Sequence, residues 1–327
     1  MLVQAPMSGP TRAKLDAAAE VVYSVFAPTP QYAWPQLCDR LGVELWLKHE
    51  NHTPVGAFKI RGGLVYFDDL ARKGQRPRGV ISATRGNHGQ SLGFAARRHD
   101  LPVTIVVPRG NGREKNAAMR SLGVTLIEHG DDFQAAREHA EALADAEGLL
   151  MVPSFHPLLV DGVATYAMEL FRAVDTLDAV YVPIGLGSGI CGMMAARDAL
   201  GLRTEIVGVV SAHAPAYAQS FAEGRPLDAP VTTELADGMA CRRPEPDALE
   251  RILAGVSRIV CVTDEEVGAA MRLIFECTHN AAEGAGAAAV AAVSADRDRL
   301  VGQRVAAVLS GGNVDRDVFA NVLSQGR

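Results

Sequence analysis

The chain is poor in the features that mark several large protein classes. Its 327 residues hold five cysteines, Cys38, Cys191, Cys241, Cys261 and Cys277, odd in number and scattered, with no CxxC pair and no metal-ligand spacing. That argues against a disulfide scaffold and a cysteine-built zinc site, and suits a reducing cytoplasm. No basic block interrupts the sequence, and the formal net charge is −6. Nucleic acid and anionic membrane are therefore poor partners, and a small molecule is favoured. No run reaches ~18 apolar residues, and no basic stretch followed by an apolar one opens the chain. A soluble, cytoplasmic protein is expected. There is no internal repeat, and no low-complexity tract beyond the alanines of 283–295.

What the sequence does contain is alternation. Residues 1–20 are polar and Ala-rich and read as a disordered end followed by a short helix; 43–48 reads as a strand. After a helix opening near Lys59, apolar strands at 80–82, 103–107, 124–127, 149–152 and 179–183 precede helices at 88–98, 113–121, 132–146, 162–174 and 190–200. Strands at 205–210, 258–262 and 305–309 follow, with helices at 264–276 and 314–324, a tightly packing Ala-rich helix at 283–295, and a polar loop at 224–246. Uniformly apolar strands alternating with helices indicate parallel sheets buried on both faces, so the class is α/β.

Lys59 stands just inside a helix start, after a Pro54/Gly56 turn. An ammonium there faces the positive end of the helix dipole, and desolvation lowers its pKa further. Such a lysine can form a Schiff base with a carbonyl, although an ordinary solvated first-turn lysine is the competing reading. Gly185-Leu186-Gly187-Ser188-Gly189-Ile190-Cys191-Gly192 follows an apolar strand and opens a helix, which lets backbone amides converge on a phosphate. Residues 187–192 match GxGxxG, but the next strand ends in Val209-Val210-Ser211 with no acid for a ribose, so a monophosphate fits better than a dinucleotide. The turn Thr84-Arg85-Gly86-Asn87-His88 offers amides and the Thr84 hydroxyl to a carboxylate, and Asn87 to a phenolic oxygen. The His88 side chain is read as structural. Ser310-Gly311-Gly312-Asn313 ends the last strand, where α/β sheets place ligands, and a serine there offers a pyridine nitrogen only a neutral hydrogen bond.

Assembled in this order, the motifs resemble the fold type II pyridoxal phosphate (PLP) enzymes, specifically the threonine/serine dehydratase and serine racemase group, over nearly the whole chain. Ala57-Phe58-Lys59-Ile60-Arg61-Gly62 is similar to the family's lysine motif, Ser82 through Gln90 to its asparagine loop, Gly185–Gly189 to its phosphate loop, and Ser310–Asn313 to its closing motif. The resemblance implies two parallel-sheet, three-layer domains of the tryptophan synthase β-like type with PLP in the cleft between them. Residues 1–70 and 155–327 would form the larger, 71–154 the smaller. It also implies that Lys59 holds PLP as a Schiff base, Phe58 packs beside the ring, Asn87 binds the ring hydroxyl and Ser310 faces the ring nitrogen. The phosphate would lie on Gly185, Leu186, Gly187, Ser188 and Gly189. Gly238, Glu283 and Gly311 would stand near the cofactor, and Thr84, Arg85, Gly86, Asn87 and His88 would receive the substrate.

Two departures from the family pattern bear on activity. Arg85 stands where the group's racemases carry a proton-shuttling serine, and an always-protonated arginine cannot shuttle. Arg85 could instead grip a second carboxylate, contact the cofactor or face solvent. Residues 210–216, with His213, lack the carboxylates of the family's divalent-ion site, and hard cations need oxygen ligands, so no metal is expected. The regulatory domain of the biosynthetic dehydratases is not expected either, nor feedback by isoleucine. The implied activity is β-elimination of a β-hydroxy-α-amino acid, threonine or serine first, with phenylserine or 3-hydroxyaspartate as alternatives. A racemase, a dinucleotide-dependent oxidoreductase and a silent amino-acid-binding protein are the weaker readings. A homodimer is implied by the resemblance alone.

Overall fold

A computed structural model describes residues 9–325. The expected loose start therefore lies largely outside the described residues, while the short helix appears as Arg12–Tyr23, capped by the Thr11 hydroxyl. Two parallel sheets follow. The first has six strands: β1 (Gln31–Ala33), β2 (Glu44–His49), β7 (Ala179–Pro183), β8 (Glu205–Ser211), β9 (Arg258–Val262) and β10 (Arg304–Leu309), in the order β1-β2-β10-β7-β8-β9. Only the short edge strand β1, which sequence reading missed, runs antiparallel. The second sheet, all parallel, holds β3 (Val80–Ala83), β4 (Val103–Val107), β5 (Thr125–Glu128) and β6 (Leu150–Met151), in the order β5-β4-β3-β6.

Both sheets are covered on both faces, as uniformly apolar strands require. Helices Pro157–Ala173 and Ser188–Ala199 form one layer on the six-stranded sheet, with a core that includes Val163, Ile190, Val180 and Val308. Helices Asp264–Thr278 and Gly284–Asp296 form the other, around Tyr181, Val207, Met271 and Val290. The Ala-rich helix is apolar all round because residues 284–293 are all buried. Its small side chains let Gly286 press against the carbonyl of Gly311, and no Cβ fits between them. On the four-stranded sheet, the alanines of Phe133–Glu147 pack on Ile81 and Val106. Helices Lys59–Arg72, Asn87–Arg97 and Arg113–Ser121 bury Leu64, Phe67, Leu92 and Met119 on the opposite face.

Several element boundaries differ from the sequence reading by one to five residues, and for two of them the cause is visible. Helix Pro157–Ala173 starts earlier than expected because Pro157 occupies its first turn and the His156 ring accepts from the Leu158 amide at 3.2 Å. The closing helix starts late, at Arg316, because the Asp315 carboxylate accepts from the amides of Arg113 and Glu114 at 2.9 and 3.2 Å. Among the described residues no helix is long and apolar enough to cross a membrane.

Candidate active site

The carboxyl ends of β3, β7 and β10 converge on one cleft of about 1350 Å3, with the start of helix Lys59–Arg72 on its wall. Carboxyl ends are where parallel sheets leave room for ligands, because the loops that follow can splay apart there. The segment before Lys59 is stitched to the turn after β10. Phe58 N donates to Ser310 O at 3.0 Å, Gly312 N to Gly56 O at 2.9 Å, and Ala57 forms an antiparallel bridge with Gly311. The Thr53 hydroxyl closes the turn by accepting from Ala57 N at 2.9 Å. Lys59 is thus the first helical residue of an element whose body packs on the four-stranded sheet and whose start is bonded to the six-stranded one.

Lys59 Nζ donates to Ser188 Oγ at 3.1 Å and lies 5.2 Å from the Phe58 ring centroid. The cleft leaves the side chain partly open to water, yet the protein packed around the amine pulls its pKa down to about 8. No carboxylate opposes that shift. The amine is about a tenth neutral at pH 7 and about nine-tenths neutral at pH 9. Stopped-flow measurement of PLP uptake by cofactor-free protein should therefore show a rate rising roughly tenfold over that interval, where a lysine at its usual pKa would still be rising steeply beyond pH 9.

The glycines after β7 are required by geometry. Gly187 has φ +96°, and a Cβ there would fall 2.5 Å from Ala248 Cβ. Gly185 lies so close to the carbonyl of Gly238 that a side chain cannot enter. The first-turn amides of helix Ser188–Ala199 have no intrahelical partner and face the cleft mouth, which makes an anion site. A Gly187→Ala protein is expected to bind PLP at least about tenfold more weakly, read by absorbance titration, because the turn must distort to relieve both the overlap and the backbone.

The loop after β3 is held by a polar chain that spans the cleft. Asn313 Nδ2 donates to Asn87 Oδ1 at 2.9 Å, and Asn87 Nδ2 donates to Glu283 Oε1 at 2.5 Å. Lys115 Nζ lies 3.2 Å from Glu283 Oε2 and 2.7 Å from Asp237 Oδ2. Burial works against the Lys115 charge, but Glu283 and Asp237 outweigh it and hold its pKa above the ordinary lysine value. Burial also raises the Glu283 pKa, with Lys115 opposing. The Thr84 hydroxyl accepts from Gly86 N at 3.0 Å, which leaves the first-turn amides of Asn87, His88 and Gly89 as the donors free for a carboxylate. The His88 ring is buried, and burial, then Lys59, lowers its pKa to about 3. It stays neutral at working pH.

Every residue singled out for the cofactor or substrate lines this cleft except Gly311, which sits behind the wall with Glu283 Oε1 against its Cα. Phe58 lies edge-on to Tyr166, ring centroids 6.2 Å apart, and Ser310 Oγ makes a long 3.4 Å bond to Ala285 O. Sequence reading missed Lys115, which sits on the cleft wall in helix Arg113–Ser121, and quoted Asn313 only as part of a motif. Only the amphipathic spacing of helix Arg113–Ser121 marks Lys115, and that spacing signals a buried face without a partner.

The family model described as pyridoxal-phosphate dependent enzyme matches residues 22–311. The chain belongs to this family. It is 33% identical over 291 residues to the L-threonine ammonia-lyase of Thermotoga maritima, covering 89% of this chain and 72% of that protein. It is 30% identical over 297 residues to the biosynthetic L-threonine dehydratase of Escherichia coli, covering 90% of this chain and 58% of that protein. The processed threonine deaminase isoform 2 of Solanum lycopersicum superposes with a TM-score of 0.88 at 28% identity, covering 100% of this chain and 97% of that one. Maize serine racemase shares the fold, with a TM-score of 0.89 at 24% identity, covering 97% and 98% of the two chains. The cleft of this PLP-dependent enzyme brings together an amine, uncapped amides in a glycine cradle, an aromatic ring at Phe58 and a weakly held hydroxyl at Ser310, groups whose chemistry fits an aldehyde, a phosphate and a pyridine ring.

Proposed function

We propose that this chain catalyses β-elimination of a β-hydroxy-α-amino acid, threonine or serine in the simplest case, to a 2-oxo acid and ammonia. The observation that carries the reading is the pairing of a depressed-pKa lysine amine, 3.1 Å from Ser188 Oγ beside the anion cradle, with a serine, not an acid, at the end of β10. Lys59 and Phe58 with residues 185–189, Gly238, Glu283 and Ser310 hold the cofactor; the loop 84–88 receives the substrate, with the first-turn amides that follow Gly86 on its carboxylate. The larger part of the chain, 1–70 and 155–327, supplies the cradle, and 71–154 supplies the substrate loop. Five free thiols suit a cytoplasmic setting, and a homodimer is the expected assembly.

When bound, PLP supplies the electron sink that stabilises negative charge at Cα. The first-turn amides of Asn87, His88 and Gly89 fix the substrate carboxylate and so orient Cα–H. Lys59, with its pKa near neutrality, takes that proton as general base, and Ser188 Oγ keeps the amine on the cleft wall. The same ammonium then protonates the departing hydroxyl, since hydroxide is a poor leaving group, and a transfer of this kind contributes roughly 10²–10⁴-fold. Ser310 gives the ring nitrogen no full proton, which disfavours transamination. Arg85 cannot deliver a proton to the other face of Cα, which disfavours racemisation. A keto-acid assay of purified holoenzyme over threonine, serine, phenylserine and 3-hydroxyaspartate, in each configuration, tests the reading. Ammonia and 2-oxo acid in equal amounts support it. Racemised substrate without oxo acid overturns it.

A further inference from the structure

Arg85 is an unanswered charge of the cleft. Of the other cations on the wall, Lys115 meets Asp237 and Glu283, Arg137 meets Glu141 at 2.9 Å and Arg243 meets Asp228 at 3.6 Å, while Lys59 donates to Ser188 Oγ and Arg242, also without a carboxylate within 4.0 Å, stands exposed to water. Among the described residues no carboxylate lies within 4.0 Å of the Arg85 guanidinium, and its Nε is shut off from water without a hydrogen-bond acceptor. A guanidinium stays protonated at any working pH, and a buried donor left unmade is a standing cost to the fold. The contrast with Arg61 elsewhere in the chain is sharp, because that guanidinium is buried with acceptors on all three nitrogens.

Resting on the elimination reading, we infer that Arg85 recognises a second carboxylate, so that the preferred substrate is a β-hydroxy-α-amino acid with an acidic side chain, such as a 3-hydroxyaspartate. The α-carboxylate is already served by the adjacent first-turn amides, and the cofactor phosphate by the amides at 188–190, so the anion left for Arg85 is a further one. Arg85 lies in the carboxylate loop itself on the cleft wall, one residue before Gly86 and helix Asn87–Arg97. The cleft, at about 1350 Å3, exceeds the roughly 300–1,000 Å3 of ordinary ligand pockets, so a second carboxylate finds room beside the cofactor. The planar fork of the guanidinium suits a carboxylate held by two parallel bonds.

The test compares wild type, Arg85→Ala and Arg85→Lys as holoenzymes. The ratio of kcat/KM for 3-hydroxyaspartate to that for threonine should fall by about 10- to 150-fold in Arg85→Ala, the range of a charge-assisted hydrogen bond, and recover in part in Arg85→Lys. Binding is read separately from catalysis with L-aspartate and L-alanine, which have no β-hydroxyl to lose, through the change each makes in cofactor absorbance. The aspartate-to-alanine affinity ratio should fall by the same factor. Equal losses for acidic and neutral ligands would make Arg85 an α-carboxylate contact, and a loss of PLP affinity alone would make it a cofactor contact; either overturns the inference. If no hydroxyamino acid yields oxo acid, the elimination reading fails, and the aspartate-to-alanine ratio still decides the role of Arg85.

Discussion

A Lys59→Met enzyme is expected to lose turnover of hydroxyamino acids by about four orders of magnitude or more. The substitution removes the amine that holds the cofactor and the group that moves the Cα proton, and general acid–base transfer alone is worth roughly 10²–10⁴-fold. Single-turnover oxo-acid release measures the loss. A variant retaining more than about a hundredth of the wild-type rate would remove Lys59 from the reaction. Failure to fold is distinguishable, because the cofactor-free variant is expected to be no less stable than cofactor-free wild type. The Lys59 ammonium is desolvated with no carboxylate to offset it, so its folded-state pKa, about 8, lies below the unfolded value of 10.5. Between those two values the unfolded chain binds more protons, and wild-type stability rises with pH across that window. The methionine variant should lack this rise in denaturant titrations at pH 8 and pH 10.

Arg61→Met is expected to destabilise the protein by about 3–5 kcal/mol in denaturant unfolding. Arg61 is fully buried two residues after Lys59. It reaches Glu50 through Nε at 2.7 Å and Nη2 at 2.9 Å, and Glu169 through Nη1 at 2.6 Å and Nη2 at 3.0 Å. Thr165 and Thr29 hydroxyls accept its remaining bonds at 3.0 and 3.2 Å. Lys48, also buried, adds a bond to Glu169 at 2.6 Å, so two buried cations face two buried carboxylates. Methionine fills much of the volume but leaves two buried carboxylates sharing one ammonium. Adding Glu50→Gln to Arg61→Met should recover part of the loss, and a double variant no better than the single would show that packing, not charge, sets the cost. Burial raises the Glu169 pKa, but Arg61 and Lys48 outweigh it and leave the folded value below the unfolded one. Stability from this group is present above its unfolded pKa and fades as pH falls through the folded one, so wild type should weaken under acid more steeply than Arg61→Met.

The network also explains why the lysine motif extends to Arg61. The helix that carries Lys59 is tied at its start to Ser310, Gly311 and Gly312, and two residues on, through Arg61, to Glu50 just after β2 and to Glu169 of helix Pro157–Ala173. Gly62 and Gly162 let these two helices approach until a Cβ at Gly62 would stand 2.7 Å from Leu159 O. The glycine after the arginine is thus a packing requirement, and the lysine sits on an element that cannot drift.

From residue order alone follow the α/β class, most strand and helix positions, and the chemical identity of the cleft walls. Each of those depends on local facts: apolar runs too short for helices, glycines at strand ends, a lysine at a helix start. What the folded chain decided is which of these pieces meet. The separation of β1, β2, β7, β8, β9 and β10 into one sheet and β3 to β6 into another follows from crossovers that hydropathy does not encode. Lys115 finds Asp237 across 122 positions, and Arg61 finds Glu169 across 108. A charge announces that it needs a partner when buried, but burial is a property of packed layers, and so neither the satisfied arginine at 61 nor the unsatisfied one at 85 could be told apart before the layers were in place.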